Sequence, residues 1–344
     1  MLIPNSQLKS VLSVVLSVAT SPVFAQVESP VDIGYSAPSL EEVSNWFESE
    51  GGKLTQVKLG ESSSELPLPD MGGTVLHPQG MYLYNGKLIL SSVDKDAAKG
   101  FVHAFRINSE LKKLELVEAI EDLSVSDAGE EMSKYHPGGI DMDRSTGRLI
   151  VPLAQYKKLS TTLFLNIDPA RLEDCARGAR LKDHIGTVIC AEQAGEACVL
   201  GFNWDAKSCY KMQSAAILGG ETLETAAREH VIAAEVHSAY QDCKYLSTDA
   251  EDSVYALCTA TKPSYSIVLV KYTAAGNMEI VHNVVAPAVG GFFWKWTQKS
   301  MAQNPMAFER VETDDGGYKI RFYFVPHDGA AARLFVYETP DMKL

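Results

Sequence analysis

The sequence predicts an all-β fold, a β-propeller, and three observations support this prediction. A motif nearly repeats: residues 77–80 read His-Pro-Gln-Gly and residues 136–139 read His-Pro-Gly-Gly, with weaker echoes at 183–186, 240–242 and 304–305. Repeats spaced by about 50 residues indicate a repeat architecture. Strand-like runs follow the motif in groups of four, separated by turn residues. Long helical patterns are missing from the sequence, which argues against a doubly wound α/β fold.

Residues 1–25 are expected to be a secretory signal peptide. Lys9 precedes an apolar run over 11–19, and small residues lead to Ala25, as signal cleavage requires. Cleavage after Ala25 makes Gln26 the first mature residue. An uncleaved membrane anchor is the alternative, but the apolar run is too short to span a bilayer. We therefore expect a secreted or periplasmic protein that is not inserted in the membrane.

Residues 26–52 are predicted to form an N-terminal segment with one short helix. Ser39 and Glu42 have the spacing of a capping box, which predicts a helix that continues to Phe47. A glycine pair at 51–52 ends it.

Residues 53–344 are predicted to form a single propeller domain of five four-stranded blades. The Asn-Gly pair at 85–86, between two apolar runs, is a strong hairpin signal. A short helix is expected over 221–229 and a polar loop over 62–69. The strands expected in blade one are 81–84, 87–92, 101–107 and 114–120, and those in blade two are 140–142, 148–153, 161–167 and an irregular stretch to 181. Blade three is expected to contain 187–191, 197–202, 207–212 and 230–235, and blade four 243–247, 253–259, 266–272 and 278–285. Blade five is expected to contain 306–312, 318–325 and 333–338.

The fifth blade lacks one strand, and a lone strand over 53–59 can supply it from the opposite terminus. Such closure removes exposed sheet edges. Six blades are the alternative if two blades have been merged. A β-sandwich is the main rival fold, but it does not explain the motif before each first strand.

The charge of the chain excludes one class of partner. The formal net charge is −13, and removal of residues 1–25 takes away one lysine and no acid, which makes it −14. Such an acidic surface repels nucleic acid and anionic lipid headgroups. The oligomeric state does not follow from the sequence.

All six cysteines lie after the predicted signal peptide, between Cys175 and Cys258, and an even count in an exported chain indicates disulfides. Because they could face each other across hairpins, the pairs Cys243–Cys258 and Cys190–Cys198 are expected, which leaves Cys175 with Cys209. A zinc site is the alternative, but the chain has no C-x-x-C pair.

Propeller geometry collects polar side chains on one face, where connections enter the first strands and where loops follow the second strands. The entering connections contribute His77, Gln79, His136, Asp183, His184, Gln241, Asp242 and Asn304. The loops contribute Asp94, Lys95, Gln155, Tyr156, Lys157, Trp204, Asp205, Lys262, Tyr265, His327 and Asp328. Four of the eight histidines fall on this face, and His237 is close to it. The sequence therefore predicts a pocket at the channel mouth.

Imidazoles at such a pocket can act as acids, bases or metal ligands. His77, His136 and His184 are the candidate ligands for a divalent metal. The candidate ligand-binding residues are His77, Gln79, Lys95, Trp204, Asp205, Gln241, Lys262, Asn304 and His327. Alternatively the histidines are structural, since the prolines at 78, 137 and 305 restrict the preceding residues to extended conformations. Glycines at 80, 138, 139 and 186 are expected where backbones approach closely at the narrow axis.

Two further segments have weaker signals. The aromatic run 292–296 could form a wall that stacks on a planar ligand or sugar, or it could fill space between blades. Residues 141–147 resemble a calcium loop in composition but lack the closing Glu, so a turn is expected. The sequence contains no nucleophile elbow, Walker loop or His-Glu-x-x-His motif.

The motifs at 77–80, 135–141 and 183–186 together resemble those of a family of uncharacterised β-propeller-like proteins of bacteria and fungi, a domain of unknown function with many secreted members. The resemblance covers about residues 75–212 and implies the fold but no activity. Other five-bladed propellers include glycosidases with three axial carboxylates, one of them at the place that His77 occupies here. That departure argues against a two-carboxylate mechanism. By analogy with propeller lyases, His136 or His184 would be the base and Tyr156 the acid.

The sequence thus favours an exported propeller with a His-rich site for a small molecule or saccharide, of lyase or hydrolase type. Lys95, Lys157 and Lys262 would give the site local positive charge, which suits an anionic substrate. The alternative is a non-catalytic binding or interaction propeller with structural histidines.

Overall fold

The computed structural model describes residues 36–59, 65–69, 75–107, 113–126, 133–156, 160–220, 223, 227–232, 239–261, 264–289, 299–328 and 332–343. The expected signal peptide and the aromatic run at 292–296 lie outside the described residues. No helix in this described part of the chain is long and apolar enough to span a bilayer.

Five antiparallel sheets form the blades of a β-propeller, which confirms the predicted fold class and the number of blades. Blade one contains β3 (His77–Tyr84), β4 (Lys87–Asp94), β5 (Lys99–Ile107) and β6 (Leu114–Ile120). Blade two contains β7 (His136–Pro137), β8 (Asp141–Asp143), β9 (Arg148–Ala154), β10 (Thr162–Asp168) and β11 (Arg171–Leu181). Blade three contains β12 (Ile185–Gln193), β13 (Glu196–Asn203), β14 (Ser208–Gln213) and β15 (Arg228–Val231). Blade four contains β16 (Tyr240–Thr248), β17 (Val254–Ala260), β18 (Ser266–Tyr272) and β19 (Met278–Val285).

The N-terminal segment closes the ring by completing blade five. This blade contains β22 (Met306–Glu312), β23 (Tyr318–Phe324) and β24 (Arg333–Glu338), and its outer strand comes from β1 (Thr55–Gln56) and β2 (Glu65–Pro67). Closure from the opposite terminus is as predicted, but the strand over 53–59 is shorter than expected, and part of the expected loop over 62–69 is β2. A small additional sheet pairs β20 (Ala288–Val289) with β21 (Lys299–Ser300).

The hydrophobic core is divided into five clusters, and each cluster lies between two neighbouring blades. Blades one and five share one of them, with Leu90 on one side and Tyr323 on the other, so the ring of packed interfaces is complete. Because every blade buries both of its faces, most strands are apolar on both sides. This arrangement excludes a two-layer sandwich.

Helix α1 (Leu40–Glu50) packs into the cluster between blades four and five through Trp46 and Phe47. The predicted capping box is present: Ser39 Oγ accepts from the Glu42 amide at 3.1 Å, and Glu42 accepts from the Ser39 amide at 2.8 Å. The helix predicted over 221–229 is wrong at its end, because Arg228–Val231 is strand β15. A short helix α2 (Ser214–Leu218) precedes it instead.

A buried ion pair at the propeller axis joins the first strands of four blades. Lys244 Nζ lies 2.5 Å from Asp242 Oδ1 and donates to the carbonyl of Ile140 at 2.7 Å. The other carboxylate oxygen of Asp242 accepts from the backbone amides of Met81 at 2.9 Å and Met306 at 3.3 Å. Asp242 was expected to face a ligand, but its side chain is 0% exposed. It therefore serves the packing of the blades.

Glycines permit this close approach of backbones at the axis. A Cβ atom on Gly80 would lie 2.6 Å from the amide nitrogen of Ile140, and one on Gly139 would clash with Thr187. The expected role of glycine is therefore confirmed at these positions. A Cβ atom on Gly186 would meet only ordinary van der Waals contacts, so close packing does not require glycine at this position.

Of the three expected disulfides, Cys243–Cys258 is present, on the directly paired strands β16 and β17. The other two expected pairs are wrong. Cys198 pairs with Ala191 across the β12–β13 hairpin, so Cys190 lies one residue out of register and on the opposite face of the blade.

The third expected pair, Cys175 and Cys209, is not formed because the two residues lie in different environments. Cys175 is exposed on β11, whereas Cys209 is buried in the cluster between blades three and four. Neither can approach the other without unfolding of a blade.

Candidate functional site

A cavity of about 320 Å³ opens on the face where connections enter the first strands. Its lining comes from blades one to four and consists of His77, Gln79, His136, Tyr156, Gly186, Trp204, Asp205, Ala239, Gln241 and Thr261. Seven of these ten residues are among the site residues that the sequence predicted. Their role in binding stays a prediction.

Strand pairing explains how residues distant in sequence meet here. His136 pairs with Ala154 across β7 and β9, and this register brings Tyr156 beside the His136 ring, with centroids 4.9 Å apart. The amide of Trp204 donates to the carbonyl of His184 at 2.7 Å, which holds the indole against the imidazole.

Four rings form an aromatic cluster on one side of the cavity. The ring of His184 stands edge-on to Trp204 at 4.3 Å, and His136 lies 5.2 Å from Trp204 and 5.6 Å from His184. Tyr156 and Trp204 stand at 75° to each other with centroids 5.9 Å apart. His136 is 5% exposed and His184 is 1% exposed. Tyr156 and Trp204, by contrast, are 37% and 41% exposed. The exposed aromatic surface therefore rests on a buried imidazole layer.

Within this layer, His136 is held uncharged. Burial lowers the pKa of His136 well below the usual value, and the neighbouring His184, His77 and Lys95 lower it further. Among the described residues, His136 Nδ1 has no hydrogen-bond partner. His136 at neutral pH is therefore a neutral ring with hydrogen-bonding capacity left over.

His77 has a different environment from His136. Its Nδ1 lies 2.7 Å from Asp328 Oδ1, and the two side chains are 24% and 38% exposed. Asn304, which is 2% exposed, donates to the same carboxylate oxygen at 3.3 Å and to the Val325 carbonyl at 3.2 Å. Asn304 was predicted as a ligand-binding residue, but here it orients Asp328.

The three histidines predicted as metal ligands are not arranged as a metal site. The described residues contain no group of three or more His, Cys, Asp or Glu side chains placed to hold a metal ion. His77 Nδ1 is committed to Asp328, and the rings of His136 and His184 pack against Trp204 at different angles. Their nitrogens therefore do not converge on one point.

The other predicted residues lie at varying distances from the cavity. Lys95 Nζ lies 5.2 Å from the centre of the Tyr156 ring, and Asp205 pairs with Lys207 at 3.2 Å. His327 is not part of the cavity lining and packs against Phe335 at 5.7 Å. Lys157, Lys262 and His237 lie outside the described residues.

His327 was predicted as a ligand-binding residue and its neighbour Asp328 was not, although both were placed on this face. Adjacent residues of an extended segment point in opposite directions, and only one of the two can reach His77. Ala239 and Thr261 were also missed; the Thr261 amide donates to the Ala239 carbonyl at 3.0 Å, which closes the blade-four side of the cavity. Their position beside the start of β16 and the end of β17 is the signal that could have found them.

A second cavity, of about 370 Å³, lies on the opposite face between blades two and three. The turn at Ser145 and Thr146 and the start of α2 form its walls, and Leu218 contributes apolar surface. It contains none of the predicted site residues.

A comparison with family models defines the family. A family model described as a family of unknown function (DUF6454) matches residues 66–342. No curated protein matches the chain. MPT-4, a mannose phosphorylase from Leishmania mexicana in complex with phosphate ion, is 11% identical with a TM-score of 0.46, over 88% of this chain and 92% of that chain. An α-L-arabinanase from Penicillium chrysogenum complexed with arabinobiose is 11% identical with a TM-score of 0.46, over 83% and 98%. Similarity at this level carries no argument about a ligand.

Proposed function

The chain belongs to the family of unknown function DUF6454, and we propose that it is an exported propeller that binds a short saccharide in the cavity. The observation that carries this proposal is the pair of half-exposed rings, Trp204 and Tyr156, standing at 75° beside polar groups. A sugar presents apolar C–H faces as well as hydroxyls. Aromatic surfaces cover the former, and a few placed polar groups orient the ligand.

The polar groups around the rings suit hydroxyl groups. The side-chain amides of Gln79 and Gln241 and the hydroxyl of Thr261 line the cavity, and each can both donate and accept. Neutral His136 offers a further nitrogen. Because none of these groups has a full charge, they favour a polyhydroxylated ligand over a small inorganic ion.

An acidic sugar is the preferred class because of Lys95. Its ammonium group lies beside the Tyr156 ring at the cavity mouth, whereas the charge of Asp205 is balanced by Lys207. A carboxylate on the ligand would meet the Lys95 charge next to an aromatic face. Charge attraction of this kind also speeds association in an otherwise acidic protein.

We further propose that the site performs lyase or hydrolase chemistry through imidazole groups. Asp205 is the one carboxylate in the described lining, and glycoside hydrolysis by two carboxylates needs a pair flanking the bond. His136 and His184 were the predicted bases and Tyr156 the predicted acid. Tyr156 lines the cavity, while the buried His184 supports Trp204 from behind.

Export is also part of the proposal, and it is supported by residues 1–25 and by the Cys243–Cys258 disulfide, which suits an oxidising compartment. Amino-terminal sequencing of the secreted protein should give Gln26 as the first residue. An unprocessed terminus in the exported protein would contradict the proposed cleavage site.

Isothermal titration calorimetry with xylotriose, mannotriose and trigalacturonate tests the binding proposal. We expect the acidic trisaccharide to bind most tightly, and Trp204→Ala to weaken binding by about tenfold through loss of the stacking surface. Tyr265→Ala is the matched control, because Tyr265 is also 41% exposed but is not in the cavity lining. Lys95→Gln should remove the preference for the acidic sugar. Equal binding by Trp204→Ala and the wild type would refute the proposed site.

The second candidate function is binding without catalysis. It is favoured by the burial of His136 and His184, which makes them supports of the aromatic surface. Incubation with a bound saccharide distinguishes the two functions: elimination produces an absorbing unsaturated product, hydrolysis produces new reducing ends, and a binding module produces neither.

A further inference from the structure

We propose that His77 is the proton acceptor of the cavity and that Asp328 is its positioning residue. This inference rests on the proposed function, because the proton must come from a molecule bound in the same cavity. It differs from the sequence-based assignment, which gave the role of base to His136 or His184. The geometry of the His77–Asp328 pair supports it.

The carboxylate of Asp328 determines which nitrogen of His77 carries the hydrogen. A carboxylate only accepts hydrogen bonds, so the contact of 2.7 Å places the hydrogen on Nδ1. The lone pair is then on Nε2, which has no partner among the described residues. Since His77 lines the cavity, Nε2 is the nitrogen available to a ligand.

Asp328 is itself oriented. Asn304 donates to its Oδ1 and to the Val325 carbonyl, so a buried amide ties the carboxylate to the end of β23. An imidazole held in one tautomer by a carboxylate, with that carboxylate held in turn, is the arrangement that general bases use.

The other two histidines are less suited to accept a proton. Burial lowers the pKa of His136, and a base of low pKa has little tendency to take a proton near neutral pH. His184 is 1% exposed and lies against Trp204. His77, by contrast, has a carboxylate on Nδ1 and lines the cavity.

The proposed step is a proton transfer. An O–H or C–H bond of the bound molecule breaks, its proton forms a bond to His77 Nε2, and the electron pair stays on the bound molecule. The resulting imidazolium is stabilised by the Asp328 carboxylate. No oxidant or further reactant is needed for this step.

Carbethoxylation by diethyl pyrocarbonate, followed by peptide mass spectrometry on the full chain, tests the pair without a known substrate. The reagent attacks the imidazole nitrogen that has the lone pair. This is Nε2 in His77 but Nδ1 in His282, which the adjacent Cβ atom crowds, so we expect His77 to react several-fold faster than His282. His282 is a matched control: it is 26% exposed and also has a carboxylate partner, but its Nε2 is the atom engaged, 3.4 Å from Glu48. Asp328→Ala should slow the reaction of His77 and leave that of His282 unchanged. Asp328→Asn, which keeps the shape, should have an intermediate effect.

Two results would overturn the proposal: His77 reacting no faster than His282, or a His77 rate that is unchanged in Asp328→Ala. Urea unfolding of each variant shows whether a change in rate reflects loss of folding. With a saccharide that the cavity turns over, His77→Gln should lower kcat by about 100-fold, and full turnover by this variant would also refute the role.

The outcomes for the two proposals are separable. If no saccharide binds but His77 is the fast-reacting imidazole, the proposed ligand class is wrong and the pair stands. If a saccharide binds through Trp204 while His77 reacts slowly, the binding site stands and the proton acceptor is wrong.

Discussion

His103 should lower the free energy of unfolding at acidic pH, and one substitution at this position should remove that effect. The imidazole is 1% exposed on β5, where it packs between the rings of Phe101 at 5.6 Å and Phe105 at 6.0 Å. Among the described residues its Nδ1 has no hydrogen-bond partner. Burial lowers the pKa of His103 to about 4, from 6.5 for an unperturbed imidazole.

The magnitude follows from proton linkage. Between these two pKa values the unfolded chain binds a proton that the folded chain does not, so stability falls as the pH falls below 6.5. With a folded-state pKa of about 4, the loss between pH 7.5 and pH 5 is about 2 kcal/mol from His103 alone. His103→Leu removes the titrating group and keeps an apolar side chain at this buried position.

Urea unfolding at 25 °C, at pH 7.5 and pH 5, measures the effect. The free energy of unfolding should fall between the two pH values by about 2 kcal/mol more in the wild type than in His103→Leu. Other titrating groups are common to both proteins and cancel in this comparison. Phe101→Leu, which alters the same stack without removing a titratable group, should keep the wild-type pH dependence. A difference below about 0.5 kcal/mol would refute a buried neutral His103.

Three further predictions concern stability and use the same unfolding assay. Cys243→Ala with Cys258→Ala should lower the free energy of unfolding by about 3 kcal/mol, because the disulfide closes a loop with a sequence separation of 15; reduction of the wild type should give a similar loss. Ala194→Gly should raise it by about 1 kcal/mol, since Ala194 has a left-handed φ of 56° in an exposed hairpin turn, whereas Ala215→Gly in α2 should lower it. Lys244→Met should cost about 3–5 kcal/mol by leaving Asp242 buried without its partner. Burial already raises the pKa of Asp242 to about 7, so this loss should be larger at pH 8, where the carboxyl is ionised, than at pH 6. Equal losses at the two pH values would contradict that reasoning.

The blades could be predicted because each strand has its own local signal. Residues 266–272, 278–285 and 306–312 were predicted with the bounds that the structure has, since alternating or apolar runs end at turn residues there. Ring closure was predictable by counting, because the fifth blade lacked a strand. The helix expected over 221–229 was wrong at its end, where charged residues of the outer strand β15 fit a helical period as well as a strand period; residues 221–222 and 224–226 lie outside the described part of the chain.

The axial ion pair was not predicted, although a signal for it exists. Asp242 and Lys244 are two residues apart on one strand, so both side chains point toward the same face. Asp242 was assigned to the connection that enters blade four and therefore to the pocket face, and Lys244 was given no role, because the sequence alone does not show how narrow the axis is. Its narrowness follows from the glycine contacts, and from two amides of blades one and five and a carbonyl of blade two that converge on Asp242 and Lys244 of blade four.

The Cys190–Cys198 and His327 errors have one physical cause. In extended chains a shift of a single residue moves a side chain to the opposite face. Cys190 and Cys198 are one position out of register, and His327 is one position from Asp328. Sequence patterns locate a strand or a connection to within a residue or two, which is sufficient for a fold and insufficient for a pair of side chains.

The His77–Asp328 pair depends on closure of the ring, and this connects the stability of the fold to the site. His77 begins the first strand of blade one, and Asp328 follows the second strand of blade five, 251 residues later. The two blades meet through one hydrophobic cluster, to which Leu90 contributes next to His103 in the paired strands. The outer edge of blade five is completed by Glu65–Pro67, only a short distance in sequence before His77. The segment that closes the ring thus leads directly to the residue that we propose as the base. Weakening this closure should separate His77 from Asp328 before it disturbs the aromatic cluster, which is built within blades two and three.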